Sequence, residues 1–112
     1  MDIELVFKKY ENFHDWIVRS LHLSLDDESS ENEPMYASYN VSLELFDPYS
    51  RHPKSVVTIK LFEVNTAKLS GLSERSAEIG SLSYEFGDGS VVISGINEND
   101  LYIEASSCSI SS

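Results

Sequence analysis

The sequence predicts an all-β fold, in which residues 1–112 form a single β-domain. We expect an antiparallel sheet of about six strands, arranged as a sandwich or flattened barrel, with at most one short helix. Apolar and polar residues alternate in several short segments, and side chains along a strand point alternately to opposite faces. Clusters of turn-forming residues separate these segments, which is typical of antiparallel sheets. The chain contains no internal repeat and no domain boundary.

The main strand is predicted directly after a compact turn, Phe13-His14-Asp15-Trp16. It alternates strictly, with one side formed by Ile17, Leu21, Leu23 and Leu25, and the other by Val18, Ser20, His22 and Ser24. We expect this strand to lie in the interior of the sheet. Residues 1–12 fit either a strand or a helical turn, and we favour a short strand or an extended arm.

An acidic loop follows the main strand at residues 26–34. It carries five carboxylates and no apolar side chain before its proline, so it is excluded from a core and is expected to be mobile. The next strand is predicted over residues 36–46. It ends at Asp47-Pro48 because proline cannot donate a hydrogen bond within a central ladder.

The second half of the chain continues the strand pattern. Residues 55–64 are apolar on both faces, which indicates a central strand, whereas residues 65–76 are expected to form a loop with a helical turn. Strands are predicted at 79–86 and 91–96, joined by a hairpin at Gly87-Asp88-Gly89-Ser90, where glycine supplies positive φ. The last strand covers 101–110, and residues 109–112 are expected to be a frayed tail.

Composition restricts the classes of partner. The chain carries 8 basic and 19 acidic residues, a net charge of −11, which disfavours nucleic acid and anionic membranes. Such a charge favours a basic partner or serves solubility, and composition does not separate the two. The single cysteine excludes an internal disulfide. We expect a cytoplasmic protein, because the N-terminus lacks the apolar core of a signal peptide and no segment resembles a transmembrane helix.

No residue pattern indicates catalysis, a cofactor or a metal, so we predict that the protein is not an enzyme. His14 and Asp15 are adjacent, which is compatible with an acid–base pair, but neighbours on a strand point to opposite faces, and we favour a structural role in the turn. His22 and His52 are too scattered for a metal site. Cys108 is expected to be a small buried residue.

Aromatic side chains leave one alternative open. Trp16 and exposed tyrosines could form the binding surface of a small β-sandwich module for a sugar or peptide. The tyrosines concerned are Tyr36, Tyr39, Tyr49, Tyr84 and Tyr102. Base stacking is less favoured, because basic residues are not interleaved with these rings.

The stretch Glu11-Asn12-Phe13-His14-Asp15, followed by an alternating strand ending at Leu25-Asp26, resembles the opening of small bacterial immunity proteins of polymorphic toxin systems. The later segments Leu61-Phe62-Glu63-Val64 and 101–110 are similar in a looser way. The resemblance implies a cytoplasmic protein that binds and neutralises a cognate toxin, with no active-site residues of its own. An acidic inhibitor would be steered towards a toxin with a basic surface. The predicted partner-binding residues are the carboxylates of the acidic loop: Asp26, Asp27, Glu28, Glu31 and Glu33.

Overall fold

The computed structural model describes residues 3–25, 38–52, 54–69, 82–95 and 101–111. These residues form one short helix, a single turn at Glu11–Phe13 and six strands. The all-β class, the number of strands and the single short helix are therefore confirmed. The elements are α1 (Ile3–Lys9), β1 (Ile17–Leu25), β2 (Tyr39–Phe46), β3 (Val56–Leu69), β4 (Leu82–Gly87), β5 (Ser90–Gly95) and β6 (Leu101–Ser111).

The six strands belong to one antiparallel sheet in the order β1-β2-β3-β6-β5-β4. The sheet does not close in the described residues, so its outermost strands are β1 and β4. The prediction that the main strand lies in the interior is therefore wrong, since β1 is an edge strand. The prediction that the third strand is central is confirmed, because β3 pairs with β2 on one side and β6 on the other.

Register gives the sheet one apolar face and one polar face. Leu21, Leu43, Ile59 and Ile110 form one row across four strands, and the next row consists of His22, Ser42, Lys60 and Ser109. Partners in a row share a face, and successive rows alternate between faces. The apolar face carries the core, and we call it the inner face.

A bulge in β1 changes the expected face of its first residue. The register shifts between Val18 and Ser20, so that Val18 is paired with Leu45 on the inner face. Ile17 is paired with Phe46 instead. The grouping of Ile17 with the leucines of β1 was therefore wrong, because the extra residue at Arg19 reverses the alternation.

The N-terminus is a helix rather than the expected strand or extended arm. Ile3, Val6, Phe7 and Tyr10 are buried, and this spacing of three to four residues places them on one side of a helix. Leu5 lies on the other side and is 65% exposed. The helix therefore forms a second layer over the inner face.

Both central strands extend beyond their predicted ends. Residues 65–69 continue β3 and pair with β6, where a loop was predicted. Residues 109–111 are paired with β3, so they are not a frayed tail. Long-range pairing overrides the weak strand propensity of these polar segments. The hairpin at 87–90 is confirmed, with Gly89 at φ 70°.

Candidate functional site

Two features of β1 and β2 could carry function, and they lie at opposite ends of these strands. The first is an acid–histidine cluster next to the start of β1 and the end of β2, which we call the buried cluster. It consists of the buried Asp47 and His52 and the exposed Glu11, which contacts His52 from the surface. The second, which we call the hairpin-end patch, consists of exposed Leu23, Leu25 and Tyr39. The nine residues of β1 separate the two ends by roughly 26 Å, at about 3.3 Å per residue.

Asp47 is the fully buried acid of the cluster. Its carboxylate accepts hydrogen bonds from the backbone N–H of Tyr49 at 3.0 Å and of Arg51 at 2.9 Å. It also lies 3.1 Å from Nδ1 of His52. Burial alone would raise the pKa of Asp47, but these donors and the nearby Arg51 charge hold the pKa below its ordinary value. Asp47 therefore keeps its charge while it folds the 47–52 loop around itself.

His52 lies between two carboxylates. Its Nδ1 faces Asp47, and its Nε2 is 3.3 Å from Oε2 of Glu11. The side chain of His52 is only 8% exposed, and its ring packs against Tyr10 and Trp16. Both ring nitrogens of His52 therefore lie within contact distance of a carboxylate oxygen. The cluster links the turn after α1 to the 47–52 loop.

The turn that leads into β1 has a strained backbone. Glu11, Asn12, Phe13 and Asp15 all have φ between 52° and 64°, a region that disfavours side chains with a Cβ. The guanidinium of Arg51 holds this turn by donating to the carbonyl oxygen of His14 at 2.8 Å. Such conformations persist only where the surrounding contacts determine them.

His14 and Asp15 do contact each other, contrary to the expectation from strand geometry. Nδ1 of His14 lies 3.1 Å from Oδ2 of Asp15. The contact forms because both residues belong to the turn, where Asp15 has φ 64°, and not to an extended strand. The His14 side chain is 58% exposed, so this ion pair lies at the surface and contributes little to stability.

Aromatic rings fill the space beneath this turn. Tyr10, Phe13 and Trp16 are each fully buried, with ring centroids 5.1–5.6 Å apart. Trp16 therefore cannot serve as an exposed platform for a ligand. The hydroxyl of Tyr10 and the indole N–H of Trp16 are buried and have no hydrogen-bond partner among the residues that the structure describes.

The hairpin-end patch lies on the inner face, at the end of β1 and the start of β2. Leu25 is paired with Tyr39, and Leu23 with the buried Val41, so all of these side chains share that face. Leu23 is 54% exposed, Leu25 42% and Tyr39 49%. Adjacent exposed apolar side chains of this kind are typical of an interaction surface.

The predicted partner-binding residues Asp26, Asp27, Glu28, Glu31 and Glu33 lie outside the described residues. Sequence reasoning identified these charges but missed the exposed leucines, which an alternating pattern predicts to be buried.

The other candidates are dispersed. His22 is exposed on the polar face, and Cys108 is half-buried, where burial raises the pKa of its thiol. Tyr49 is 57% exposed, while Tyr84 and Tyr102 are partly buried; Tyr36 lies outside the described residues. Within the described ranges, no three His, Cys, Asp or Glu side chains converge on a point that could hold a metal ion.

An open groove lies between α1 and β4. Its volume is about 380 Å³, and its lining consists of Glu4, Phe7, Lys8, Glu11, Asn12 and Tyr84. The ring of Tyr84 packs against Phe7, with 4.7 Å between centroids. The lining therefore combines two aromatic rings with charged and amide side chains.

Comparisons with known proteins give no family: no protein-family model, curated protein or solved structure matches this chain. Among the helical residues described here, none forms a segment long and apolar enough to cross a membrane.

Proposed function

We propose that this chain is a non-catalytic binding protein, an immunity protein that binds and neutralises a cognate bacterial toxin with a basic surface. One observation carries the proposal: an exposed apolar patch, Leu23, Leu25 and Tyr39, is formed by the two strands that flank the most acidic segment in the sequence of a chain with net charge −11. The resemblance of the Phe13-His14-Asp15 turn and its following strand to immunity proteins supports the same function.

The two parts of this surface would act on different steps of binding. The carboxylates Asp26, Asp27, Glu28, Glu31 and Glu33 attract a basic partner over distances up to a Debye length, about 10 Å at 0.1 M salt. Such attraction acts mainly on the association rate. The apolar patch then supplies contact area that leaves water on binding, which slows dissociation.

The buried cluster supports this function indirectly. Asp47 and His52 fix the start of β1, and the turn at Phe13 and Trp16 anchors that end in the core. The resembling motif thus serves to position the strand, and the binding surface lies at the strand's other end. Positioning an interface on a rigid scaffold lowers the entropy cost of association.

The first test is co-expression with the toxin domain encoded beside this chain's gene. The chain should restore growth to cells that produce the toxin and should elute with it as one complex in size-exclusion chromatography. Lack of protection together with lack of a complex would reject the immunity function, as would a gene neighbourhood without a toxin.

The second test measures association kinetics. Neutralising Asp26, Asp27 and Glu28 to Asn or Gln should slow association with the toxin at low salt and have less effect at high salt. The matched control neutralises three exposed acids of the sheet: Glu63, Glu85 and Asp88. If both sets of substitutions slow association equally, the slower association is due to the change in net charge. If the substitutions in the acidic loop do not slow association, the loop is not part of the interface.

A sugar- or peptide-binding module is the second candidate, favoured by the groove beside Tyr84 rather than by Trp16. Its volume of about 380 Å³ falls within the range of ligand pockets. Titration with a panel of oligosaccharides, followed by amide NMR, would support this function if shifts concentrate at Asn12 and Tyr84. Binding that leaves those signals unchanged would reject the groove as the site.

A further inference from the structure

We propose that the outer edge of β1 between Ser20 and Leu25 accepts an extended, basic segment of the partner as an additional strand of the sheet. In the described part of the chain, β1 is paired only with β2, so its other edge presents unpaired backbone groups. Pairing of an extended segment with such an edge is a common mode of recognition. The choice of partner rests on the proposed function.

The regular part of this edge lacks the features that usually block strand addition. Natural edges are protected by proline, lysine, bulges or short length. In β1 the bulge and the charge of Arg19 affect only the beginning of the strand. From Ser20 to Leu25 the register with β2 runs without interruption and contains neither proline nor lysine.

The hairpin-end patch provides the side-chain contacts for an added strand. Leu21, Leu23 and Leu25 all point to the inner face, where an added strand would place every second side chain beside them. Leu23 and Leu25 are about half exposed, so they still have surface to bury. The segment that fits this edge has alternating apolar residues.

Charge decides between a partner strand and a second copy of this chain. Each copy carries a net charge of −11, so pairing two copies would bring like charges together. A segment with Lys or Arg between its apolar residues would be attracted instead.

The inference can be tested without the toxin. The probe is a short synthetic peptide of alternating lysine and valine, titrated to roughly millimolar concentration against the whole chain while amide NMR signals are followed. Shifts should concentrate at Ser20–Leu25, and binding should weaken with salt. A peptide of alternating glutamate and valine, and a lysine–valine peptide with a central proline, should not bind.

A matched pair of variants assigns the contact. Leu23→Ser/Leu25→Ser should weaken the lysine–valine peptide at least about tenfold, or about 1.4 kcal/mol. Phe62→Ser/Phe86→Ser removes two exposed rings at other positions and should leave binding unchanged. Circular dichroism should show that both variants remain folded, because all four side chains are at least one-third exposed.

Several outcomes would overturn the inference: shifts at β4 or on the polar face, equal binding of the glutamate peptide, no shifts at the highest concentration, or dimers of the chain that protect the β1 amides.

The toxin experiment separates this inference from the proposed function. If Leu23→Ser/Leu25→Ser still protects cells fully, the edge is not the interface although immunity stands. If the unmodified chain gives no protection, immunity fails and the peptide result still decides the edge.

Discussion

Replacement of Asp47 tests whether the buried cluster holds the first and second strands together. Asp47→Ala removes the acceptor of two backbone N–H groups and the partner of His52, whose side chain is 8% exposed. Leaving a buried donor without its acceptor costs about 1–3 kcal/mol, so the loss for the two N–H groups and His52 together should be about 3 kcal/mol or more. This is a large part of the roughly 6–17 kcal/mol that a chain of this length has at 0.05–0.15 kcal/mol per residue.

The assay uses the only tryptophan of the chain. Trp16 is fully buried, and its ring lies 5.7 Å from that of His52, so its fluorescence reports directly on this region. Urea denaturation followed by this signal and by circular dichroism should show a lower midpoint with an unchanged slope. In a thermal scan, the same loss lowers Tm by roughly 12 °C or more.

Two controls separate the hydrogen bonds from the charge. Asp47→Asn keeps one carbonyl acceptor for a backbone N–H and should cost less, about 1–3 kcal/mol. Asp88→Asn removes the same charge from an exposed turn and should be close to neutral. If the free energy of unfolding of Asp47→Ala lies within about 0.5 kcal/mol of that of the unmodified chain, the cluster does not stabilise the fold and the reasoning is refuted.

The remaining predictions concern the turn, the strand faces and pH. Asp15→Ala should destabilise by about 1 kcal/mol, because alanine is strained at φ 64°, and Asp15→Gly should restore most of the loss; equal midpoints for both variants would contradict this. Tyr10→Phe should raise the free energy of unfolding by about 1 kcal/mol, since it removes a buried hydroxyl that has no partner among the described residues. A lower free energy of unfolding would mean that this hydroxyl is hydrogen-bonded in solution. Leu23→Asp should lower the free energy of unfolding by less than about 1 kcal/mol because Leu23 is exposed, whereas Leu43→Asp should prevent folding because Leu43 is fully buried. Comparable losses at the two sites would show that Leu23 is buried in solution. The pKa of Asp47 is lower in the folded chain than in the unfolded chain, where it is near 3.8. The charged carboxylate therefore contributes stability that is complete above pH 3.8 and is lost as pH falls through the folded pKa. The difference in free energy of unfolding between the unmodified chain and Asp47→Asn should accordingly narrow below about pH 4.

Periodicity predicted the strands because the inner face is continuous and apolar. Leu43, Leu45, Ile59 and Leu61 alternate with polar residues and are all fully buried. Strand order has no such signature, so the pattern of β1 could not reveal an edge position. At an edge, leucines such as Leu23 remain half exposed because no other strand of the described residues covers one flank.

The helix was missed because its seven residues are too few to establish a period. Ile3, Leu5 and Phe7 fit a strand, and Ile3, Val6, Phe7 and Tyr10 fit a helix equally well. Packing on the sheet decides between them, since only the helix buries four side chains on one side. The choice between helix and strand is therefore made by tertiary contacts, which the local sequence does not show.

The buried cluster was only partly visible in the sequence. Asp47-Pro48 was read as a strand terminator, and an aspartate at this position also predicts an Asx turn in which the side chain caps backbone N–H groups. The observed bonds to Tyr49 and Arg51 have this form. The contact of His52 with Glu11 joins residues 41 positions apart, and no local pattern encodes it.

The two ends of β1 differ in a way that should separate stability from binding. At its start, Phe13 and Trp16 are fully buried and Arg51 holds the preceding turn, so local opening there exposes core. At its end, Leu23 and Leu25 are half exposed, so they contribute little to the fold. Regions with few buried contacts are the ones that can adapt to a partner. Substitutions near the turn should therefore act on the free energy of unfolding, and substitutions at the hairpin end on affinity.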